Sequence, residues 1–153
     1  MTRYLLYFLT GFAHALIILI YRGYMGIEPT LYSTVALVSG MVLFGIVSWL
    51  KLYLERIGAI MAILCVLAIV PWTIDAGRRV LAYDAFLSGV LLIVQGVLLL
   101  FLLATFITSL RYVFSKGSWL SGTSTPGVAG KIIFSIIPIA IIVTWLLIMG
   151  KIQ

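Results

Sequence analysis

The sequence predicts an all-α membrane protein, a single bundle of five transmembrane helices. Hydrophobic residues make up 64% of the 153 residues and charged residues only 9%, far from the roughly 45 to 50% and 25% of soluble domains. The apolar residues form five runs separated by the few charged ones. About 20 apolar residues span a bilayer, so we expect one integral membrane domain over residues 1–153. Its helices are predicted at about 4–21, 29–50, 57–74, 85–110 and 132–150, with a flexible loop at 111–131.

The first run lies between Arg3 and Arg22. It begins like a signal peptide, and Ala13-His14-Ala15 has the form of a cleavage site. Apolar residues continue beyond that site, however, whereas signal cleavage follows the apolar region. The run is therefore expected to remain as a transmembrane helix.

The second and third runs are predicted to form a tight antiparallel hairpin, because few residues separate them. Pro29, preceded by Glu28, suits the first turn of the second helix, where a missing amide costs nothing and a carboxylate meets the positive end of the helix dipole. Pro71 lies near the end of the third run. It is expected to bend or stop that helix, because proline removes a backbone hydrogen bond and its ring clashes with the preceding turn.

The fourth run has no ionisable side chain between Asp84 and Arg111. Small and polar residues recur along it at spacings of three, four and seven. Helices in lipid associate through close packing at small residues, so this stripe is expected to face protein: Ser88, Gly89, Leu92, Gln95, Gly96 and Leu99, with Ser88, Gly89 and Gly96 as the packing seam. Gln95 lies in mid-membrane, where it is either an interhelical hydrogen bonder or part of a polar site.

The last run follows a stretch rich in Gly, Ser and Thr at 111–131. This composition is typical of a flexible connector. Pro138 is expected to kink the fifth helix unless it falls in the first turn.

The formal charge of +6 does not indicate a nucleic-acid partner, because the basic residues stand singly beside apolar runs rather than together on one face. On alternate sides of the predicted bundle the Lys and Arg count is six to four. The larger group is Arg3, Lys51, Arg56, Arg111, Lys116 and Lys131, and the smaller is Arg22, Arg78, Arg79 and Lys151. The positive-inside rule then predicts a plasma or inner membrane protein with a cytoplasmic N-terminus and a C-terminus outside.

His14 is the only histidine, and Thr10 lies on the same helix face. Ionisable groups inside a membrane are candidates for proton or ion handling. The alternative is a neutral histidine bonded to a neighbouring helix. With one histidine per chain and the acids confined to the ends of runs, neither a metal site nor a cofactor is expected.

Acids and arginines also gather on one predicted side of the membrane. Such an ionic cluster could hold a polar headgroup or an ionic solute, and the alternative is a set of solvated helix ends and interhelical pairs. Its members are Arg22, Glu28, Asp75, Arg78, Arg79 and Asp84.

These patterns favour a non-catalytic accessory or structural subunit of a larger membrane complex or homo-oligomer, with the lipid bilayer and other membrane subunits or a second copy as partners. One alternative is a small-solute or ion transporter or channel with a polar path at Thr10, His14 and Gln95. A second is a lipid-modifying enzyme. The chain shows no nucleophile with a base at a suitable spacing and no set of metal-binding acids, so no enzymatic activity is expected.

Overall fold

The described part of the chain consists of helical rods. The computed structural model describes residues 2–25, 30–82, 85–114 and 127–149, and these ranges contain no strand. The predicted all-α bundle is confirmed. In chain order the elements are α1 (Thr2–Met25), α2 (Leu31–Val38), a π-helical turn (Ser39–Leu43), α3 (Phe44–Tyr53), α4 (Glu55–Val80), α5 (Ala85–Phe114) and α6 (Val128–Met149).

The elements from α2 to α3 form one continuous rod, because the residues that join them keep right-handed helical backbone angles. The bundle therefore has five rods. Four segments are long and apolar enough to cross a membrane, as in an integral membrane protein: Arg3–Gly23, Leu31–Tyr53, Glu55–Val80 and Gly89–Phe114. The described side chains of α6 include a shorter apolar stretch, Val128–Thr144.

Several helices are longer than predicted. α4 continues through Pro71 to Val80, so this proline does not end the helix. Neighbouring helices can support such a break in the backbone ladder. Pro138 lies well beyond the first turn of α6. The predicted loop is shorter at both ends, because α5 runs to Phe114 and α6 begins at Val128; residues 115–126 lie outside the described ranges.

α3 and α4 form the expected hairpin with only Leu54 between them. The base of the hairpin is closely packed, since a Cβ on Gly58 would lie 3.0 Å from the backbone nitrogen of Lys51. Glycine allows this approach because it has no side chain to place there. The short connection therefore sets two rods side by side along their length.

α1 contacts α2, the π-helical turn, α3 and α5. α5 packs on α4 and α1, while α6 packs mainly on α3, with Ile142 and Pro138 over Gly45. Large buried side chains fill the centre. Since lipid is as apolar as these side chains, close packing rather than escape from water holds such rods together.

Among the described side chains, the buried face of α5 shares only Gln95 with the predicted stripe. Leu92 and Leu99 are exposed, and a Cβ on Gly89 or Gly96 would meet no other described part of the chain within 4 Å; the side chain of Ser88 lies outside the described residues. The expected seam is therefore not a packing face inside this chain. The buried stripe repeats at spacings of four and three and consists of Leu91, partly buried, with Gln95, Leu98, Leu102, Thr105 and Ser109.

Candidate functional site

Polar side chains line the contact between α1 and α5 from one end of the bundle to its middle. Spacings of three and four place them on one face of each helix, and all of them are buried. We call this set the α1–α5 polar column. It consists of Tyr7, Thr10 and His14 from α1 with Thr105 and Ser109 from α5.

Hydrogen bonds join the two sides of the α1–α5 polar column. The Ser109 hydroxyl donates to Tyr7 Oη at 2.8 Å. One turn deeper, the hydroxyl oxygens of Thr10 and Thr105 lie 2.8 Å apart. Thr10 uses its single hydroxyl hydrogen on the Leu6 carbonyl oxygen at 2.7 Å, so Thr105 donates to Thr10. α5 is thus the donor to α1 at both levels.

His14 ends the column in the middle of α1. Its Nδ1 lies 2.8 Å from the Thr10 carbonyl oxygen. A carbonyl oxygen can only accept, so Nδ1 carries the hydrogen, and in the neutral ring Nε2 is left as an acceptor. Nε2 is buried and has no hydrogen-bond partner in the described ranges. His14 therefore bonds to its own helix rather than to a neighbouring one, and keeps a free acceptor in the core.

A charged cluster closes the outer end of the column. The Glu55 carboxylate accepts hydrogen bonds from Lys51 Nζ at 2.8 Å and from Tyr112 Oη at 2.5 Å. The guanidinium carbon of Arg3 lies 4.1 Å from the centre of the Tyr112 ring, which is cation–π geometry. We call Arg3, Lys51, Glu55 and Tyr112 the Arg3 cluster. It links α1, α3, α4 and α5, whereas in the sequence its basic residues stand singly beside apolar runs.

The interior becomes apolar beyond His14. On α5, the buried positions between Thr105 and Gln95 are Leu98 and Leu102. Gln95 Nε2 donates to the Thr73 carbonyl oxygen of α4 at 3.4 Å, which is long for a hydrogen bond. Gln95 Oε1 has no partner among the described residues. The structure thus does not join His14 and Gln95 by a described hydrogen bond, and leucines occupy the level between them.

A second polar site lies at the opposite end of the bundle. A cavity of about 10 Å³, roughly room for one water molecule, lies between the end of α1, the start of α2 and the last turns of α4. We call it the Arg22 cavity. Its polar lining consists of Tyr21, Arg22, Thr30, Ser33, Asp75 and Arg79.

Part of this lining is internally paired. Arg22 Nη2 donates to Ser33 Oγ at 2.9 Å and to Thr34 Oγ1 at 2.8 Å. Arg79 Nε lies 3.0 Å from Asp75 Oδ2. Two hydrogen-bond donors of the lining, Tyr21 Oη and Arg22 Nε, are buried and have no partner within the described part of the chain. The site therefore offers more hydrogen-bond donors than its own acceptors use.

The structure brings together three of the six residues of the predicted ionic cluster, Arg22, Asp75 and Arg79. Arg78 is exposed and does not line the cavity. Glu28 and Asp84 lie outside the described residues. Four functional candidates were not predicted from the sequence: Tyr7, Thr105, Ser109 and Tyr112. Spacings of three and four relate Tyr7 to Thr10 and relate Thr105 and Tyr112 to Ser109.

In the ranges that the structure describes, no group of three or more His, Cys, Asp or Glu side chains is placed to hold a metal ion. No family model, no curated protein and no solved structure matches this chain. Its own geometry is thus the basis for a functional proposal.

Proposed function

We propose that the protein is a non-catalytic multi-pass membrane component that works by packing α5 against a helix of another chain, either a partner subunit or a second copy. The observation that carries this proposal is how little of α5 is covered. In its most apolar stretch 22% of the residues are buried, against 44 to 56% in the other three candidate spans. A helix with most of its surface uncovered has room for a neighbour.

The outer face of α5 has the repeat of a helix-packing seam. Its members recur at spacings of four and three, directly opposite the buried stripe. The glycines leave holes between protruding branched side chains, so a helix from another chain can approach closely. These residues are Gly89, Ile93, Gly96, Leu100, Leu103 and Ile107.

The short connections support the same proposal. Among the described residues, only single residues and one turn lie outside the helices: Thr30, Leu54, 81–82 and Gly127. A partner that binds the described part of the chain therefore contacts helices rather than loops. Lipid can cover an apolar face equally well, so association depends on shape at the glycines rather than on burial of apolar area.

Gly96→Leu tests the proposal because it fills a hole on the outer face, where an added Cβ would meet no other described part of the chain within 4 Å. We expect the fold to persist while the assembled species is lost, measured by cross-linking in native membranes and mass analysis after detergent extraction. Gly77→Leu on α4 is the matched control, since a Cβ there also meets nothing within 4 Å. A wild-type protein that stays monomeric without any copurifying partner would contradict the proposal.

The α1–α5 polar column favours a second candidate function, the movement of protons or a small ion. Polar groups at successive depths in a membrane commonly mark such paths, and the free Nε2 of His14 is able to accept a proton. The leucines at 98 and 102 form the barrier that such a path would have to cross. A path of this kind predicts that His14→Ala abolishes proton flux in proteoliposomes. Thr108→Ala should not, because among the described residues the Thr108 hydroxyl bonds to its own helix.

A further inference from the structure

The Arg22 cavity combines two donors that have no partner in the described ranges with two partly exposed charged side chains, Asp75 and Arg79. Tyr21 is only 2% exposed and lines the cavity. Its ring packs edge-on against Trp72, with 5.9 Å between ring centroids, which fixes the hydroxyl in place. Arg22 Nε lies in the same lining, equally without a partner in the described ranges. A buried donor without an acceptor is costly, so these groups indicate a bound acceptor.

The charges of the described lining favour an anionic acceptor. The described lining contains two guanidinium groups, of Arg22 and Arg79, and one carboxylate, of Asp75. Asp75 contacts Arg79 through Nε, and a guanidinium group carries two further nitrogens that can donate hydrogen bonds. Arginine recognises phosphate oxygens through several donors in one plane. The donor surplus and the positive balance therefore match an oxygen of a phosphate group.

The size and depth of the cavity define how that group is held. A volume of about 10 Å³ admits a single oxygen atom, so the remainder of a phosphate lies at the mouth. The mouth is where the Asp75 and Arg79 side chains are 37% and 40% exposed. It lies at the ends of the candidate spans Arg3–Gly23 and Glu55–Val80, the level at which lipid headgroups begin.

We propose that the Arg22 cavity binds a phosphate group, one oxygen of which accepts hydrogen bonds from Tyr21 and Arg22 while Arg79 contacts the others at the mouth. The chemistry is shared by a phospholipid headgroup and by free phosphate. Two probes separate these sources: dioctanoyl phosphatidylglycerol and inorganic phosphate. Dioctanoylglycerol, which has the same chains without the phosphate, reports binding by the chains alone.

Titration calorimetry of the purified full chain in a neutral detergent measures the affinity for each probe. We expect Arg79→Gln to weaken binding about tenfold or more, the usual loss for a charged hydrogen-bonding partner. Arg78→Gln is the matched control, because the neighbouring arginine is exposed and lies outside the lining. It should change the affinity by less than about twofold, since exposed charges contribute little.

Tyr21→Phe is the second variant, and it removes only the hydroxyl. Affinity should fall by about three- to tenfold, while the melting temperature without ligand should hold or rise because an unpaired buried group is lost. If dioctanoyl phosphatidylglycerol binds, inorganic phosphate does not, and both variants weaken the binding, the result supports a headgroup site. If inorganic phosphate binds and both variants weaken its binding, the result supports a site for free phosphate. Equal affinities in wild type and Tyr21→Phe, as for a cavity that holds only water, or equal losses in Arg78→Gln and Arg79→Gln, would overturn the proposal.

Discussion

Gly11 and Gly40 meet backbone to backbone where α1 crosses the second rod. A Cβ on Gly11 would lie 2.7 Å from the carbonyl oxygen of Gly40, and a Cβ on Gly40 would lie 2.6 Å from the carbonyl oxygen of Gly11. Gly40 belongs to the π-helical turn, so α1 crosses the irregular part of the rod with no room for a side chain at either glycine. Such small-residue crossings are the main source of close packing between helices in lipid.

Gly11→Ala and Gly40→Ala should each lower the free energy of unfolding in detergent by about 1 to 3 kcal/mol, because the new methyl group overlaps backbone that cannot move alone. Gly77→Ala provides the control. Its Cβ has open space, so it should be neutral or stabilise the helix by up to about 1 kcal/mol. Thermal unfolding of the three variants measures the difference. Equal effects would show that the backbones at Gly11 and Gly40 do not approach each other this closely.

The helical fold follows from the sequence because runs of apolar residues between single charges leave a chain in lipid few other options. The sequence did not predict which face of α5 is buried. In a soluble protein, apolar residues mark the buried face, but here Leu98 faces the core and Leu99 faces outward. The candidate site divides in the same way. Thr10, His14 and Arg22 were singled out, whereas the role of Glu55 depends on how the helix ends meet, and one sequence does not contain that information.

Leu98→Ala and Leu99→Ala test the rotation of α5 with the same substitution at adjacent positions. Leu98 is 6% exposed and Leu99 is 46% exposed. We expect Leu98→Ala to lower the free energy of unfolding by about 1 to 3 kcal/mol, because packing contacts are lost. The loss should lie toward the low end of the range known for buried leucines, because a side chain surrounded by lipid gains nothing by leaving water. Leu99→Ala should cost less than about 0.5 kcal/mol. A larger loss at Leu99 would restore the originally predicted face.

The ion pair in the Arg3 cluster should contribute measurably to stability. Glu55→Gln leaves the buried Lys51 ammonium without its counter-charge, and we expect a loss of about 1 to 2 kcal/mol, between the values for exposed and fully buried pairs. Asp75→Asn breaks a pair of the same four-residue spacing that is exposed on both sides, and should cost less than about 0.5 kcal/mol. Denaturant or thermal unfolding compares them, and similar losses would mean that burial of Lys51 has no energetic consequence.

The direction of insertion stays a prediction of the six-to-four charge count. A reporter fused to the C-terminus should lie outside the cytoplasm, and one inserted near Ser121 should lie inside, because the positive-inside rule places the side with more Lys and Arg in the cytoplasm. Reporter pairs that are active on opposite sides of the membrane measure both positions. Reversed signals would show that the count misleads, and equal signals on both sides at each position would indicate dual insertion.

The bond between Thr10 and Thr105 is suited to a double-mutant cycle, since valine has nearly the same shape as threonine and removes only the hydroxyl. We expect a coupling of about 0.6 kcal/mol between Thr10→Val and Thr105→Val, the average for hydrogen bonds between membrane helices. Thr10→Val combined with Thr108→Val is the control. Thr108 bonds to the carbonyl oxygens of Ala104 and Thr105 on its own helix, so that coupling should be near zero. A zero value for Thr10 and Thr105 as well would mean that α1 and α5 are held by packing alone, and the polar column would then lose its part in fixing the two helices together.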